Sequence, residues 1–452
     1  MITTSLSELA AVAGGELLGS DASVSSITTD SRSVQPGDLF VALKGDYFDG
    51  NEFAATAVEQ GAVAVLVSRE QAGLAASQIL VADTTDALGD IASWHRQQWQ
   101  KPLVAITGSC GKTTVKGMVA AILSEMATTL ATEGNLNNHI GVPKTLLRLA
   151  PEQQFAVIEM GASAIGEIDY LVNLAKPQVA LVNNVVPAHL EGFGSVEAIA
   201  TAKGEIYQGL ADDGVAIINL DDHFAGQWLQ EIGERNWLGF SLVDHSADLY
   251  ATDVHIDKGG RASFELCSKV GKVAIDLQIL GRANVANALA AAACTVPLGA
   301  TLATIKSGLE KFSAVPGRLC LYEGVNGCWV IDDSYNANPG SVKAAIDVLA
   351  ELPGKRLLVL GDMGELGAEA KAAHKEIGRY AKTAGLDGLL TAGPLSELAA
   401  QEFGEQAQSF INNAALSESL INELDASVVV LIKGSRSAGM ESVVQAILKE
   451  GV

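Results

Sequence analysis

Residues 103–118 read LVAITGSCGKTTVKGM. An apolar strand pattern runs into a Gly-x-x-Gly-Lys-Thr turn and then into a helical pattern. Gly108 and Gly111 can take backbone angles closed to other residues, so successive N–H groups can point at one anion. A helix starting near Lys112 adds the positive end of its dipole. Lys112 can set an ammonium on the β- and γ-phosphates of a nucleotide, and the Thr113 hydroxyl suits magnesium. The longer phosphate-loop pattern has a glycine where this chain has Ile106, so the loop is a compact variant. The candidate phosphate ligands are Thr107, Gly108, Ser109, Cys110, Gly111, Lys112 and Thr113. The competing reading is a turn that merely joins strand to helix, and Lys-Thr directly after the second glycine weighs against it.

Other polar residues follow apolar runs directly. Glu159 ends FAVIEMGAS, and His189 lies in NNVVPAHLEGFGS. With Thr113 they form an oxygen-and-imidazole set suited to magnesium, which prefers oxygen ligands and keeps several waters. Asn135, Asn137 and Asn138 offer amides to a peptide, although asparagine clusters also make turns. Lys433, Ser435 and Arg436 could grip a carboxylate, while Asn336 and Asn338 could orient a substrate. Lys203, in TAKGEIYQGL, reads from its residues alone as a solvated helix lysine.

These residues need strands that place them along one sheet edge. Residues 1–98 carry short strand-like runs (DLFVALKG, AVAVLVS, QILVAD) with helical stretches between them, and SLSELAAVAGG begins with Ser5 and Glu8 spaced as a capping box. Residues 99–314 alternate apolar runs with helix-length segments, which predicts a parallel sheet flanked by helices. Residues 315–452 restart the pattern with WVIDDS, RLLVLGD and SVVVLIKGS, as a second doubly wound unit. Ala314–Arg318 (AVPGR) is the expected hinge. The fold class is therefore α/β, in three domains. Ligands in open parallel sheets collect beyond the carboxyl ends of strands.

Composition excludes several classes. A net charge of −23 argues against nucleic acid or an anionic membrane as partner. No apolar run approaches the roughly 20 residues that span a bilayer. Five cysteines, none spaced C-x-x-C, argue against a disulfide framework and a zinc site, and suit the cytoplasm.

TGSCGKTT resembles the compact loop of the Mur ligases and folylpolyglutamate synthases. VIEMG, AKGEI, GRANVANALAAAA, AVPGRL and DDSYNANPGS follow in that family's order along nearly the whole chain. TTDSRSVQPGDLFVALKG, EGNLNNHIGVPKTLLRL, GDMGELG and KGSRS are most similar to members that add D-alanyl-D-alanine to a UDP-N-acetylmuramoyl-tripeptide. The resemblance implies a UDP-substrate N-terminal domain, a central P-loop ATPase-like domain and a Rossmann-like C-terminal domain that binds the amine acceptor. It implies ATP-dependent amide formation through an acyl phosphate, catalysed by Lys112, Lys203, His189 and Arg318. Two magnesium ions would be held by Thr113, Glu159, His189 and a carbamylated Lys203. Asn287 would meet the adenine, with Asn284 also binding the cofactor, while Arg318 would meet the γ-phosphate and Asp333 the ribose. Ser31 and Arg32 would receive the uridine nucleotide end, and the enzyme is expected to be a monomer. Where the family commonly has histidine before the first asparagine of GRANVAN, this chain has Ala283. Two alternatives stay open: a folylpolyglutamate-synthase-like ligase, and a nucleotide-hydrolysing switch protein.

Overall fold

The computed structural model describes residues 3–45, 47–187 and 190–449. Near the N-terminus a five-stranded sheet runs in the order Glu16–Leu18, Ser77–Leu80, Ala64–Val67, Asp38–Val41, Ser26–Thr28, parallel except for its first strand. The helix Leu6–Val12 is capped by Ser5, whose hydroxyl accepts from the Glu8 N–H. The expected capping box stays half made, because the Glu8 carboxylate accepts from the Thr4 hydroxyl at 2.6 Å.

The helix Thr84–Trp99 joins this region to the next. Its His95 Nε2 lies 2.8 Å from the Leu149 carbonyl, Arg96 donates to the Ala175 carbonyl and Trp99 Nε1 to that of Ala150. One apolar core runs through both regions, from Leu6 and Leu66 to Ala105 and Ile158.

Nine strands form the central sheet. Leu103–Thr107 lies between Phe155–Glu159 and Val179–Val182, parallel to both and wholly buried. Such a strand is apolar on both faces, which is why LVAIT shows no alternation. The sheet is not parallel throughout. Leu249–Ile256, Arg261–Ser268 and Gly271–Leu280 extend one edge as an antiparallel meander. Their alternating burial follows from one covered face and one open face.

The last region is a six-stranded sheet in the order Cys320–Glu323, Trp329–Asp333, Val428–Lys433, Lys355–Gly361, Gly388–Ala392, Ala407–Phe410. All but the first strand are parallel. Between the two larger sheets, Gly317 and Leu319 take φ of +75° and +52°. The Gly317 and Leu319 N–H groups donate to the Asp332 and Asp333 carboxylates, both at 3.2 Å, so this turn is bonded to the last sheet.

Candidate active site

The carboxyl ends of both large sheets face one cleft of about 1160 Å³. Ser109–Thr114 form part of its wall, and the turn owes its shape to neighbours far along the chain. The Ser109 N–H donates to the Asn184 carbonyl, and the Cys110 N–H to Asn184 Oδ1, both at 2.9 Å. Asn183 and Asn184 each donate a side-chain N–H back to the Cys110 carbonyl. Asn183 also donates to Asn287 Oδ1, and Asn287 donates to Asn284 Oδ1. An amide ladder thus ties the turn to the helix Ala283–Thr295.

Lys112 donates to the Gly108 carbonyl at 2.6 Å, curling over its own loop. Burial pushes its ammonium below the usual lysine range, and the Glu159 carboxylate pulls it back up. Thr107 Oγ1 is buried without a hydrogen-bond partner.

Glu159 is 2% exposed at the tip of its strand. Its Oε1 accepts from Asn137 Nδ2 at 2.9 Å, while Oε2 has no hydrogen bond. A buried carboxylate oxygen left open is costly unless a cation meets it. The Lys116 ammonium lies 3.9 Å from Oε2, within ion-pair range but too far to hydrogen-bond it. The lone pair of that oxygen therefore stays open to a divalent ion, with Thr113 able to supply a hydroxyl and the remaining oxygens coming from substrate and water. Among the described residues, no three His, Cys, Asp or Glu side chains converge as a self-contained metal cage. His189 lies outside the described residues.

Lys203, 1% exposed, ends the helix Val196–Gly204, and its Nζ stands 5.9 Å from the Phe193 ring centre. Burial, reinforced by the Lys112 charge, brings its amine down to about 7. The reading of Lys203 as a solvated lysine is thereby corrected. AKGEI shows no helical face that would betray this burial.

Across the cleft stand Arg318, Asp333, Tyr335 and Lys433. The Arg318 guanidinium lies 4.1 Å from the Tyr335 ring centre. Lys433 is buried and donates to Asp333 Oδ2 at 2.5 Å and to the Asn336 carbonyl at 2.9 Å. Burial raises the Asp333 carboxyl, against the pull of Lys433.

Asn135, Asn137, Asn138, Asn284, Asn287, Asn336 and Asn338 all line the same cleft. One of them, Asn338, also caps a helix, Pro339–Ala350. Asn138 accepts from the Gly141 N–H, and Asn338 accepts from the Ser341 N–H. Other expected residues stand outside the lining: Ser31, Arg32, Thr107, Gly108, Lys203, Ser435 and Arg436. Arg32 grips Asp30 through two N–H groups, which holds that exposed carboxyl well below its usual range. Arg436 pairs with Glu441 at 3.3 Å. Sequence reasoning missed the Asn183–Asn184 splint, Lys116 beside Glu159, and Tyr335 beneath Arg318.

Family models match along the chain: a Mur ligase family catalytic domain over residues 23–96, a Mur ligase middle domain over 106–295 and a Mur ligase glutamate ligase domain over 317–436. The chain is 48% identical to the UDP-N-acetylmuramoyl-tripeptide–D-alanyl-D-alanine ligase of Escherichia coli (strain K12), covering 100% of both chains. This chain belongs to the Mur ligase family. Another Mur ligase, the enzyme of the same name from Bacillus subtilis (strain 168), is 35% identical over 94% of this chain and 93% of its own. Among solved Mur ligases, a crystal structure of MurF from Acinetobacter baumannii superposes with a TM-score of 0.92 at 36% identity, covering 97% of each chain. MurF ligase from Thermotoga maritima, in complex with ADP, superposes at 0.84 with 29% identity, over 93% of this chain and 96% of that one.

Proposed function

We propose that this chain is the ATP-dependent ligase that joins D-alanyl-D-alanine to UDP-N-acetylmuramoyl-tripeptide, forming the pentapeptide nucleotide of peptidoglycan synthesis. One observation carries the reading: the phosphate turn and the Arg318–Asp333 wall face each other across a cleft that also holds the Asn135–Asn138 loop. A nucleotide and a peptide carboxylate can therefore meet there. The names of relatives that match this chain from end to end support the same activity.

The reaction must turn an inert carboxylate into an acyl donor. Attack of the tripeptide carboxylate on the γ-phosphorus forms an acyl phosphate and releases ADP. The dipeptide amine then adds to the acyl carbon, and the tetrahedral intermediate expels phosphate. Two anions approach each other in the first step, so fixed cations dominate the barrier. Lys112 leaves the Gly108 carbonyl to reach the phosphates, and Arg318 takes the γ-phosphoryl group from the opposite wall. Asp333 would receive the ribose, with Asn284 and Asn287 near the base. Thr113 and Glu159 would hold magnesium, with His189 and Lys203 serving a second ion. When bound, magnesium offsets charge on the phosphoryl oxygens. Lys203, with its amine near neutrality, can react with carbon dioxide and become an anionic carbamate.

Asn135, Asn137 and Asn138 would hold the peptide, and Asn336, Asn338, Lys433, Ser435 and Arg436 the dipeptide. The uridine end would reach Ser31 and Arg32. The domains are proposed at 1–98, 99–314 and 315–452. We place the enzyme in the cytoplasm as a monomer. No described helix is long and apolar enough to cross a membrane.

The test is phosphate release with each substrate omitted in turn, together with hydroxylamine trapping. The proposal expects release that needs both the tripeptide nucleotide and D-alanyl-D-alanine, and a hydroxamate when hydroxylamine is added. Release from ATP alone, with no hydroxamate, would favour the switch protein instead.

A further inference from the structure

Lys116 stands four residues beyond Lys112, on the same helix face. It is only 7% exposed. A buried ammonium must be paired or hydrogen-bonded. Its Nζ donates to the Thr132 carbonyl at 2.8 Å and lies 3.9 Å from Glu159 Oε2, the oxygen that has no hydrogen bond. Thr132 fixes both partners, because its hydroxyl accepts from the Glu159 N–H at 3.0 Å. At 3.9 Å, Lys116 is too far to hydrogen-bond the carboxylate but close enough for its charge to act. It leaves the open lone pair of Glu159 free.

The surroundings add to that charge. Burial above all lowers the Lys116 ammonium, as it does that of Lys112; the Glu159 carboxylate pulls both back up, and Arg318 adds a smaller push down. Glu133, the other carboxylate acting on Lys116, is itself paired with Arg148 at 2.5 Å. Lys112 and Lys116 thus bring two cationic side chains to one buried carboxylate. A bare divalent ion entering there meets net repulsion, whereas the phosphates of a nucleotide reverse the sign of the field.

We infer that Lys116 makes divalent-metal binding at Glu159 conditional on a bound nucleotide. The inference rests on the ligase reading above, with Glu159 as a metal ligand. Lys116 acts through Glu159 and is a positioning residue. It keeps the ion from settling before the phosphates arrive.

The experiment measures Mn2+ binding to the nucleotide-free, full-length protein through the paramagnetic resonance signal of the free ion. Lys116→Met is expected to bind Mn2+ about tenfold more tightly than the parent, the scale of one screened unit charge at this separation. Lys116→Arg, which keeps the charge, should match the parent, and adding Glu159→Gln to Lys116→Met should erase the gain. If Lys116→Met does not fold, Lys116→Gln carries the same expectation. Equal or weaker Mn2+ binding by the uncharged variant overturns the inference, as does a gain that survives Glu159→Gln. The ligase reading is judged separately, by substrate-dependent phosphate release in the parent. A parent that passes that assay while Lys116→Met stays flat sinks only the role of Lys116.

Discussion

A methyl group on Gly111 would lie 2.7 Å from Asn183 Nδ2 and 2.7 Å from Asn287 Oδ1, and the residue has φ of +77°. Neither amide can step aside freely, since Asn183 is held by the Cys110 carbonyl and Asn287 by Asn284. An L side chain at such a backbone angle costs about 1–2 kcal/mol before any clash is counted. Gly111→Ala is therefore expected to weaken ADP binding at least tenfold, roughly 1.4 kcal/mol. Calorimetric titration checks this, and an unchanged affinity would show that the turn is not the phosphate cradle. The turn was legible in the sequence because its chemistry and its geometry reside in seven adjoining residues, Thr107–Thr113. The splint was not. Asn184 meets Cys110 across 74 positions, and nothing in NNVV states which turn those amides will hold. Lys116 was hidden for the same reason, since its partners lie far along the chain, Thr132 just past the strand Thr129–Ala131 and Glu159 at the end of Phe155–Glu159.

At the level of elements, the helix Ala370–Thr383 is clamped to the loop after Lys355–Gly361 by one imidazole. His374 Nδ1 donates to the Ala370 carbonyl at 2.6 Å, and Nε2 accepts from the Met363 N–H at 2.9 Å. Only the neutral ring can do both. Burial holds its pKa below the ordinary 6.5, against a weaker pull from Asp362. The unfolded chain thus takes up this proton first as pH falls. The contribution of the clamp is complete above 6.5 and is lost as pH drops through the lower folded value. Buried His95 behaves in the same sense. The melting temperature is expected to fall between about pH 7.5 and about pH 5.5, and to fall less in His374→Gln. An identical slope in that variant would refute the clamp. Sequence patterns located most strands and helices, because apolar runs and turn residues are local signals. They missed the antiparallel meander Leu249–Leu280. RASFELCS does alternate, but alternation does not say that a strand will extend the edge of a parallel sheet.

Across the whole molecule, the last domain meets the central one through two unlike kinds of contact. On one side Leu280, from the edge of the central sheet, belongs to the core formed by Val348, Leu349 and Leu352. Leu319, from the Gly317–Leu319 turn, packs against that apolar patch, which holds the two sheets together whatever the cleft contains. At the cleft itself the contacts are polar and slight. Cys110 Sγ lies 3.4 Å from Asn338 Nδ2, and the Glu191 N–H donates to the Glu365 carbonyl at 3.3 Å. A thiol–amide contact and a long hydrogen bond cost little to open, whereas separating the buried leucines exposes apolar surface at about 25 cal/mol per Å². The last domain should therefore pivot about the Leu280 patch and part at the Cys110–Asn338 side. Phosphates bound between Lys112 and Arg318 would draw the walls together and narrow that distribution. Small-angle scattering is expected to show a smaller radius of gyration with a non-hydrolysable ATP analogue and the tripeptide nucleotide than without ligand. Leu280→Asp should enlarge the ligand-free particle, because the pivot loses its apolar hold. Profiles that coincide with and without ligands would leave the two walls as one rigid body and exclude the pivot.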